Sequence, residues 1–295
     1  MKRKRIGRTS FGIHLFFILF SLICIIPMIV VISASLTSTI ELGRNGFSLF
    51  PEKIDFTAYA YLFENPKQIV SAYSVTIFVT VVGTVLSVLV MAMTAYALSR
   101  NQFRFKKVLT WYIFFPTLFS GGLVSSYIIN TQYLHLTNSI WALILPGLVN
   151  VFHIFMLRTF FREIPSSLFE SAQIDGASEW RMFFTIALPL AKPSLATVGF
   201  LGALARWNEW YNAMLYIRDD TKYPLQYLLQ RMMMNIQELL DAMTRVPSLG
   251  ISAADIPGEN LRMALLVVCI GPMMLIFPFF QKYFTKGMTV GAVKG

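Results

Sequence analysis

Two charged residues, Arg206 and Glu209, stand in a long apolar stretch and are three positions apart. If that stretch is one helix, both side chains share a face, and ionisable groups at membrane depth are costly unless they pair or serve a function. Aromatic and amide residues stand beside them: Trp207, Asn208, Trp210 and Asn212. Flat rings with polar edges, together with amide donors and acceptors, suit a ring-shaped solute rich in hydroxyl groups, such as a sugar. The alternative is a belt of tryptophans at the membrane interface and a charge pair that satisfies only itself.

A second polar stretch, residues 165–190, lies between two apolar runs and predicts two short helices joined by a turn. Apolar residues recur at helical spacing over residues 168–174. Gly176 tolerates positive φ and suits a sharp turn, after which Ser178 can cap a second helix that ends near Pro189. The hairpin then presents an apolar face that the loop cannot cover by itself: Phe169, Ala172, Phe183, Phe184 and Ile186. We therefore expect the hairpin to bind a partner outside the bilayer, the alternative being an ordinary amphipathic loop.

Motifs of catalysis are missing from the sequence. It contains no phosphate-binding G-x-x-x-x-G-K-[ST] loop, so the chain does not hydrolyse nucleotides by itself, and no H-E-x-x-H or G-x-S-x-G motif. Its three histidines are scattered without ligand spacing, and Cys24 and Cys269 stand in apolar runs, where a thiol behaves as a small hydrophobe. We expect neither an enzyme nor a metal site.

The composition places the chain in a membrane. Of its 295 residues 56% are hydrophobic and 14% are charged, which is outside the range of soluble domains. Runs long enough to cross about 30 Å of hydrocarbon as helices occupy residues 11–36, 69–98, 108–130, 138–161, 194–217 and 262–284. We predict an all-α membrane protein with about six transmembrane helices. The first run would also suit a cleaved signal peptide, but its length and the even number of spans favour an uncleaved helix.

Positive charges predict the orientation, because Lys and Arg concentrate on the cytoplasmic side of membrane proteins. Basic residues cluster at both termini, near residues 100–107 and around the hairpin, all on one side of a six-span arrangement. Segments 37–68, 131–137 and 218–261 have no such excess. We therefore expect both termini and the hairpin to be cytoplasmic. Contact with anionic lipid accounts for the net charge of +10 without a nucleic-acid partner.

The hairpin resembles the cytoplasmic coupling loop of the membrane subunits of bacterial ATP-binding cassette (ABC) importers. That loop has a Glu, two Ala, an Asp-Gly-Ala turn, and then Phe, Ile and Leu-Pro at fixed spacing. The matching residues here are Glu170, Ser171, Ala172, Asp175, Gly176, Ala177, Phe183, Ile186, Leu188 and Pro189. Ser171 replaces the first Ala, which exchanges one small residue for another. Residues 257–295 are similar to the ending of one permease type in sugar importers, that of the smaller maltose permease and of permeases for polysaccharide uptake.

The resemblance implies a type I importer permease fold, multi-pass in a bacterial cell membrane. It implies a second permease subunit, a dimer of ATPase subunits that bind ATP and Mg, and an extracytoplasmic solute-binding protein, with no cofactor in this chain. It also implies a sugar or oligosaccharide as solute, since a Trp-Asn pair in the fifth span is typical of that branch. If the solute is acidic, Arg206 is its obvious partner.

We divide the chain into residues 1–68, with the basic N-terminus, the first span and an outer loop, and residues 69–295, the permease core. The core contains the coupling loop 165–190, an outer loop 218–261 and a cytoplasmic tail 285–295. The outer loop has a helical first half and either docks the binding protein or covers the pore. Two other functions stay open: an ion-coupled secondary transporter, for which Glu209 is the one candidate carboxylate, and a membrane scaffold.

Overall fold

The computed structural model describes residues 8–64, 66–245 and 258–292. Within those ranges the chain consists of helices and connecting segments, without a β-strand. The α-helices are α1 (Arg8–Ser35), α2 (Thr39–Asn45), α3 (Thr57–Leu62), α4 (Pro66–Ser99), α5 (Lys106–Leu118), α6 (Gly122–Ile128), α7 (Val151–Glu163), α8 (Ser166–Ile174), α9 (Glu179–Met182), α10 (Leu188–Leu190), α11 (Lys192–Trp207), α12 (Tyr211–Tyr216), α13 (Leu225–Arg245) and α14 (Glu259–Ala292). Short π segments occupy Ile129–Tyr133 and Phe183–Ala187, and 3₁₀ turns occupy Ile140–Leu143 and Asp220–Lys222. The predicted all-α architecture is confirmed.

Three helical stretches in the described ranges are long and apolar enough to cross a membrane by themselves, and they match the first, second and sixth predicted spans. They are Gly12–Ser35, Pro66–Ser99 and Glu259–Pro278. Helix α1 exposes large apolar side chains along most of its length, among them Phe16 and Ile23. A helix that is apolar all round fits a lipid environment.

The third predicted span, residues 108–130, is broken into two helical pieces. Lys106–Leu118 and Gly122–Tyr133 lie at 117° to each other. Pro116 lacks the N–H that the helix ladder needs, and Gly122 has a φ of 80°, which glycine adopts without the strain that a side chain brings. The apolar run therefore forms two pieces at a sharp angle rather than the one helix that we predicted.

The fourth predicted span, residues 138–161, is also interrupted. A 3₁₀ turn at Ile140–Leu143 is followed by an irregular segment, and helix α7 begins only at Val151. The side chain of Asn150 starts α7 by accepting the N–H of His153 at 3.2 Å, as N-cap residues do. Pro146 in the irregular segment cannot donate a backbone hydrogen bond, which disfavours a continuous helix there.

The fifth predicted span, residues 194–217, ends earlier than expected. Helix α11 stops at Trp207, and the short helix α12 begins at Tyr211. At its other end α11 meets the preceding stretch Glu179–Leu190 at 81°. Arg206 and Glu209 consequently do not lie on one continuous helix, which corrects that expectation.

The described chain divides into two compact units. The first comprises residues 1–69 and 229–271. In it the hydroxyl groups of Ser35 and Tyr59 share a hydrogen bond of 2.8 Å, and Thr39 donates to Asn260 at 3.0 Å. The N–H of Asp55 bonds to the carbonyl of Leu36 at 2.8 Å. These contacts connect the end of α1 with α2, α3 and the start of α14.

The second unit comprises residues 70–228 and 272–295. One core of this unit joins the second half of α4 with α7, the hairpin and α11. The buried residues of this core are Met91, Ala92, Ala95, Tyr96, Leu98, Ile154, Leu157, Phe161, Phe169, Met182, Phe183, Ala187, Ala191 and Val198. The hairpin is therefore packed on the same chain along one side.

Parts of the predicted outer loop and termini lie outside the described residues. Helix α13 confirms the helical first half of the outer loop, whereas residues 246–257 are outside the described ranges. The basic residues at positions 2–5 are outside them as well. Helix α14 continues to Ala292, so most of the predicted tail is helical instead of a flexible segment.

Candidate coupling hairpin and solute path

The turn of the hairpin has the geometry that its sequence predicts. At the end of α8 the N–H of Ala177 bonds to the carbonyl of Ala172 at 2.9 Å, and that of Gly176 bonds to Gln173 at 3.0 Å. Such a pair closes a helix through a left-handed residue, and Gly176 supplies it with a φ of 76°. The hydroxyl of Ser178 then accepts the N–H of Arg181 at 3.3 Å and starts α9.

The second arm of the hairpin is longer and less regular than predicted. It runs from Glu179 to Leu190 and contains a π segment, in which the N–H of Leu188 bonds to the carbonyl of Phe183, five residues earlier. A proline displaces the carbonyl four positions before it, here that of Thr185, so a widened turn just before Pro189 accommodates the ring. The arm therefore passes through Pro189 and ends one residue later.

The apolar residues of the hairpin do not all point to the same side: some are buried against the rest of the chain and others are exposed. Phe169 and Phe183 are buried in the core of the second unit. Their rings lie 6.1 and 5.3 Å from the ring of Tyr96 on α4, centre to centre. These two phenylalanines thus fix the hairpin to its own chain. Phe183, which the resemblance places among the coupling residues, positions the surface and does not form it.

A polar latch holds the hairpin to the end of α4. The hydroxyl of Tyr96 donates to Glu179 at 2.7 Å, and Arg100 lies 3.4 Å from the other carboxylate oxygen. The guanidinium of Arg100 also lies 4.4 Å from the ring centre of Phe169, in the range of a cation–π contact. We call Tyr96, Arg100 and Glu179 the latch. Sequence reasoning missed it, because its members are up to 83 positions apart.

The opposite side of the hairpin is open and partly apolar. Ile174 is 87% exposed, Trp180 61% and Phe184 51%. The rings of Trp180 and Phe184 are stacked, with centres 6.3 Å apart. Of the residues that match the coupling motif, the exposed ones are Glu170, Ser171, Asp175, Gly176 and Pro189, while Ala172 and Ala177 are half-buried. Exposed apolar rings beside carboxylates are typical of a surface that binds another protein.

A cleft of about 540 Å³ lies next to the latch. It is lined by Met93, Tyr96, Ala97, Arg100, Gln102, Phe103, Glu179, Trp180 and Phe183. The latch thus forms one wall of a concave, mostly apolar site next to the exposed Trp180. A protruding side chain of a partner protein would fit a cleft of this kind.

The side chain of Arg206 lies against three segments of the chain. Its guanidinium donates to the carbonyls of Gly147 at 2.8 Å and Gly202 at 3.4 Å. It crosses α4 at Gly83, where a β-carbon would lie 2.5 Å from its Nε. That Nε is buried and has no hydrogen-bond partner within the described part of the chain. Arg206 therefore connects α11, α4 and the irregular segment before α7.

Glu209 caps the next helix and does not pair with Arg206. Its carboxylate accepts the N–H of Asn212 at 2.9 Å, in the first turn of α12. Among the described residues the side chains of Arg206 and Glu209 form no salt bridge with each other. The interpretation of a self-satisfied charge pair is therefore wrong. The guanidinium keeps N–H groups that backbone carbonyls do not use.

The aromatic and amide residues around the break differ in accessibility. Trp207 is 4% exposed and belongs to the interior, whereas Trp210 is exposed and stands edge-on to the ring of Tyr211. Asn208 is exposed, donates to the carbonyl of Leu204 at 2.9 Å and accepts from Gln226 at 3.4 Å. At the break, Asn208 and Trp210 are therefore exposed, Arg206 is half-buried and Trp207 is buried.

Comparison with known proteins identifies the family. Residues 10–290 match the family described as binding-protein-dependent transport system inner membrane component. The chain is 38% identical over 295 residues to the polygalacturonan/rhamnogalacturonan transport system permease protein YtcP of Bacillus subtilis (strain 168), with 100% of both chains covered. It is 28% identical over 301 residues to the arabinooligosaccharides transport system permease protein AraQ of Halalkalibacterium halodurans, again with 100% of both covered.

Solved structures share the fold. A chain of a bacterial ABC transporter involved in the import of the acidic polysaccharide alginate superposes with a TM-score of 0.80 at 30% identity, over 96% of this chain and 100% of that one. A chain of a bacterial alginate ABC transporter in complex with its pentasaccharide-bound periplasmic protein gives 0.51 at 16% identity, over 92% and 94%, and supports the fold alone. The predicted importer permease fold is thereby confirmed. The chain belongs to the family of inner membrane components of binding-protein-dependent transport systems.

Proposed function

We propose that the chain is the permease subunit of an ATP-driven importer and forms, with a second permease subunit, the path for an oligosaccharide derived from an acidic polysaccharide. The observation that carries the proposal is the similarity over the whole chain to a polygalacturonan/rhamnogalacturonan permease and to an alginate importer chain. Family membership favours this function over an ion-coupled secondary transporter and over a membrane scaffold.

The hairpin is the element through which ATP hydrolysis would drive this chain. Its exposed side offers Ile174, Trp180 and Phe184 together with Glu170 and Asp175, while its inner side is fixed by the core and the latch. A partner that moves the exposed side therefore moves α4, α7 and α11 as well. We propose a dimer of ATPase subunits, which bind ATP and Mg, as that partner, on the cytoplasmic side with both termini.

Transport then follows from a shift between two conformations. ATP binding to the ATPase dimer has to favour the outward-facing conformation more than the inward-facing one, because a ligand shifts an equilibrium only by its differential affinity. The hairpin transmits the movement of the ATPase dimer to the helix bundle. The bundle then opens the solute site on one side of the membrane and closes it on the other. The chain itself contributes positions and contacts and no catalytic group.

The break between α11 and α12 is the proposed solute contact of this subunit. Interrupted helices in transporters expose backbone and polar side chains at the solute site. Trp210 supplies a flat ring for the C–H face of a sugar, Asn208 supplies an amide, and Arg206 supplies a cation for a carboxylate. Glu209 and Asn212 hold the start of α12 in place.

We propose the remaining partners by analogy with the family. An extracytoplasmic solute-binding protein would deliver the oligosaccharide to the side that carries α13 and the outer loop 218–261. We propose that residues 1–68 contribute a span and an outer loop and that residues 69–295 form the permease core. Lipid surrounds the apolar helices, and we propose no role for nucleic acid.

Uptake of acidic and neutral oligosaccharides by the reconstituted importer tests the solute assignment. We expect Arg206→Gln to lower the uptake of an oligogalacturonate by roughly 10- to 100-fold, because a hydrogen bond to a charged group is worth about 1.5–3 kcal/mol. Uptake of a neutral oligosaccharide should fall much less. Arg218→Gln, which removes an exposed arginine further along, is the control. Equal losses for both sugars would contradict the acidic solute.

A further inference from the structure

A basic cleft of about 380 Å³ lies between the start of α5 and α7, apart from the latch and from the break at Arg206. We call it the basic cleft, and its lining residues are Arg104, Lys106, Lys107, Thr110, Trp111 and Arg158. Four of these six side chains are cationic and none is acidic. A further cation, Arg162, acts electrostatically on Lys106 and Arg158.

In the described part of the chain, no carboxylate forms a salt bridge with the cations of the basic cleft. Among the described residues the salt bridges involve Arg100, Lys222 and Arg262, and none of the cations of the cleft. The Nε of Arg158 is buried without a hydrogen-bond partner in the described ranges. Lys106 has one weak contact, to the amide oxygen of Asn101 at 3.5 Å. Like charges held together in this way repel one another unless an anion joins them.

The apolar surroundings of the basic cleft are those of a site at a membrane surface. Trp111 is 60% exposed and Tyr112 76%, and Val108 and Phe115 on the same helix are also open. Helix α5 is half of a bent pair that is long and apolar enough to span the bilayer. A cationic cleft at the end of such a helix, flanked by Trp and Tyr, matches the boundary between headgroups and acyl chains.

We propose that the basic cleft binds the phosphate headgroup of an anionic phospholipid, whose acyl chains lie along the exposed apolar side of α5. Arginine and lysine side chains complement phosphate oxygens by charge-assisted hydrogen bonds. Trp111 covers the glycerol region next to them. A soluble phosphate compound shares the headgroup chemistry but does not use the apolar side chains of α5.

Lipid binding to the purified full-length chain tests the proposal. Native mass spectrometry would measure the affinities for phosphatidylglycerol and for phosphatidylcholine with the same acyl chains. We expect Arg104→Gln combined with Lys107→Gln to weaken phosphatidylglycerol binding roughly tenfold or more, because each basic side chain near the surface adds to the attraction. Phosphatidylcholine binding should not change. Arg104 and Lys107 line the cleft and are exposed, so their exchange spares the core.

Arg44→Gln combined with Lys53→Gln is the matched control, since it also removes two exposed cations, at a different place. If this control lowers phosphatidylglycerol binding as much as the cleft variant, or if the cleft variant binds as the original chain does, the proposal is overturned. Complete displacement of the lipid by equimolar glycerol phosphate would indicate a soluble ligand instead. A cross-linker at Lys107→Cys in the assembled importer should capture lipid, and capture of a protein subunit would also overturn the proposal.

Discussion

The latch joins the hairpin to α4 through three side chains. Glu179 accepts a hydrogen bond from Tyr96 and attracts Arg100, and its own side chain is half exposed. A force applied to the hairpin therefore reaches α4 through a short, polar contact. Without the latch, packing of Phe169 and Phe183 would still hold the hairpin, but with less directional restraint.

A double-mutant cycle measures the latch. We expect Tyr96→Phe and Glu179→Gln each to destabilise the solubilised chain by about 1 kcal/mol, since a charge-assisted hydrogen bond that water reaches in part lies at the lower end of its range. The double variant should lose little more than either single variant. Reversible unfolding in mixed micelles gives these free energies. Tyr61→Phe removes the hydroxyl of an exposed tyrosine and serves as the control; fully additive losses would argue against the latch.

The lack of a side chain at Gly83 leaves room for the side chain of Arg206. A β-carbon at Gly83 would lie 2.5 Å from Nε and 2.7 Å from Cδ of Arg206, whereas at Gly199 on α11 the nearest atom would be Val88 Cγ2 at 3.7 Å. We expect Gly83→Ala to lower oligosaccharide uptake several-fold by displacing the guanidinium. Gly199→Ala should leave uptake unchanged.

Combining Gly83→Ala with Arg206→Gln distinguishes a displaced arginine from a general packing defect. If the glycine acts through Arg206, the combined variant takes up no less solute than Arg206→Gln alone. A further drop in the combined variant would show that the methyl group damages something other than the arginine.

At the scale of elements, the hairpin depends on its turn. Gly176 has a φ of 76°, and a residue with a β-carbon costs about 1–2 kcal/mol in that conformation. The turn sets the angle between α8 and α9, so strain there changes the shape of the exposed surface rather than the core. Of the residues that match the coupling motif, Glu170, Ser171 and Asp175 are exposed before the turn and Pro189 is exposed after it.

Coupling of ATP hydrolysis to transport tests the hairpin as an element. We expect Gly176→Pro and Glu170→Lys to leave the chain in the membrane but to abolish most of the ATP hydrolysis that solute and binding protein stimulate. Gly43→Ala, at a helical glycine with open space around it, is the matched control. Stimulated hydrolysis at the original rate in both hairpin variants would remove the hairpin from the mechanism.

Local signals in the sequence predicted the elements that depend on local chemistry. The turn at Gly176, the cap at Ser178 and the uninterrupted apolar helices α1 and α4 all follow from residues close in the chain. The breaks in the third, fourth and fifth runs did not, because an apolar run can be one helix or two. Pro116 and Pro146 stand at or near two of the breaks, but their presence alone did not distinguish a broken run from a kinked helix, and the break after Trp207 has no proline.

Contacts between distant residues were beyond prediction from the sequence. The latch joins α4 to α9, and Arg206 meets Gly83 and Gly147, because the fold brings these segments together. The charge spacing in the sequence left a pair of Arg206 with Glu209 as the alternative to solute contact. The half-buried guanidinium of Arg206 instead bonds to backbone carbonyls that the fold brings close to it.

At the scale of the whole molecule, the chain is a membrane component, and we propose that partner subunits supply its energy and deliver its solute. Family membership and the shared fold establish that the chain is a membrane component. The energy would come through the proposed ATPase contact, which places the exposed side of the hairpin against another subunit on the cytoplasmic side. Helices α4, α7 and α11 are packed on the inner side of that hairpin.

The most direct measurement of this contact is site-specific cross-linking in the assembled importer. A Cys24→Ser background removes the exposed native cysteine, and the other, Cys269, is buried. Ile174→Cys then offers a thiol at the tip of the hairpin, while Tyr112→Cys offers one on the apolar side of α5. We predict that a short bifunctional reagent joins position 174 to the ATPase subunit and leaves position 112 unjoined to it. An Ile174→Cys chain that is labelled from the outer side of the membrane, or that never forms the ATPase adduct, would contradict the account.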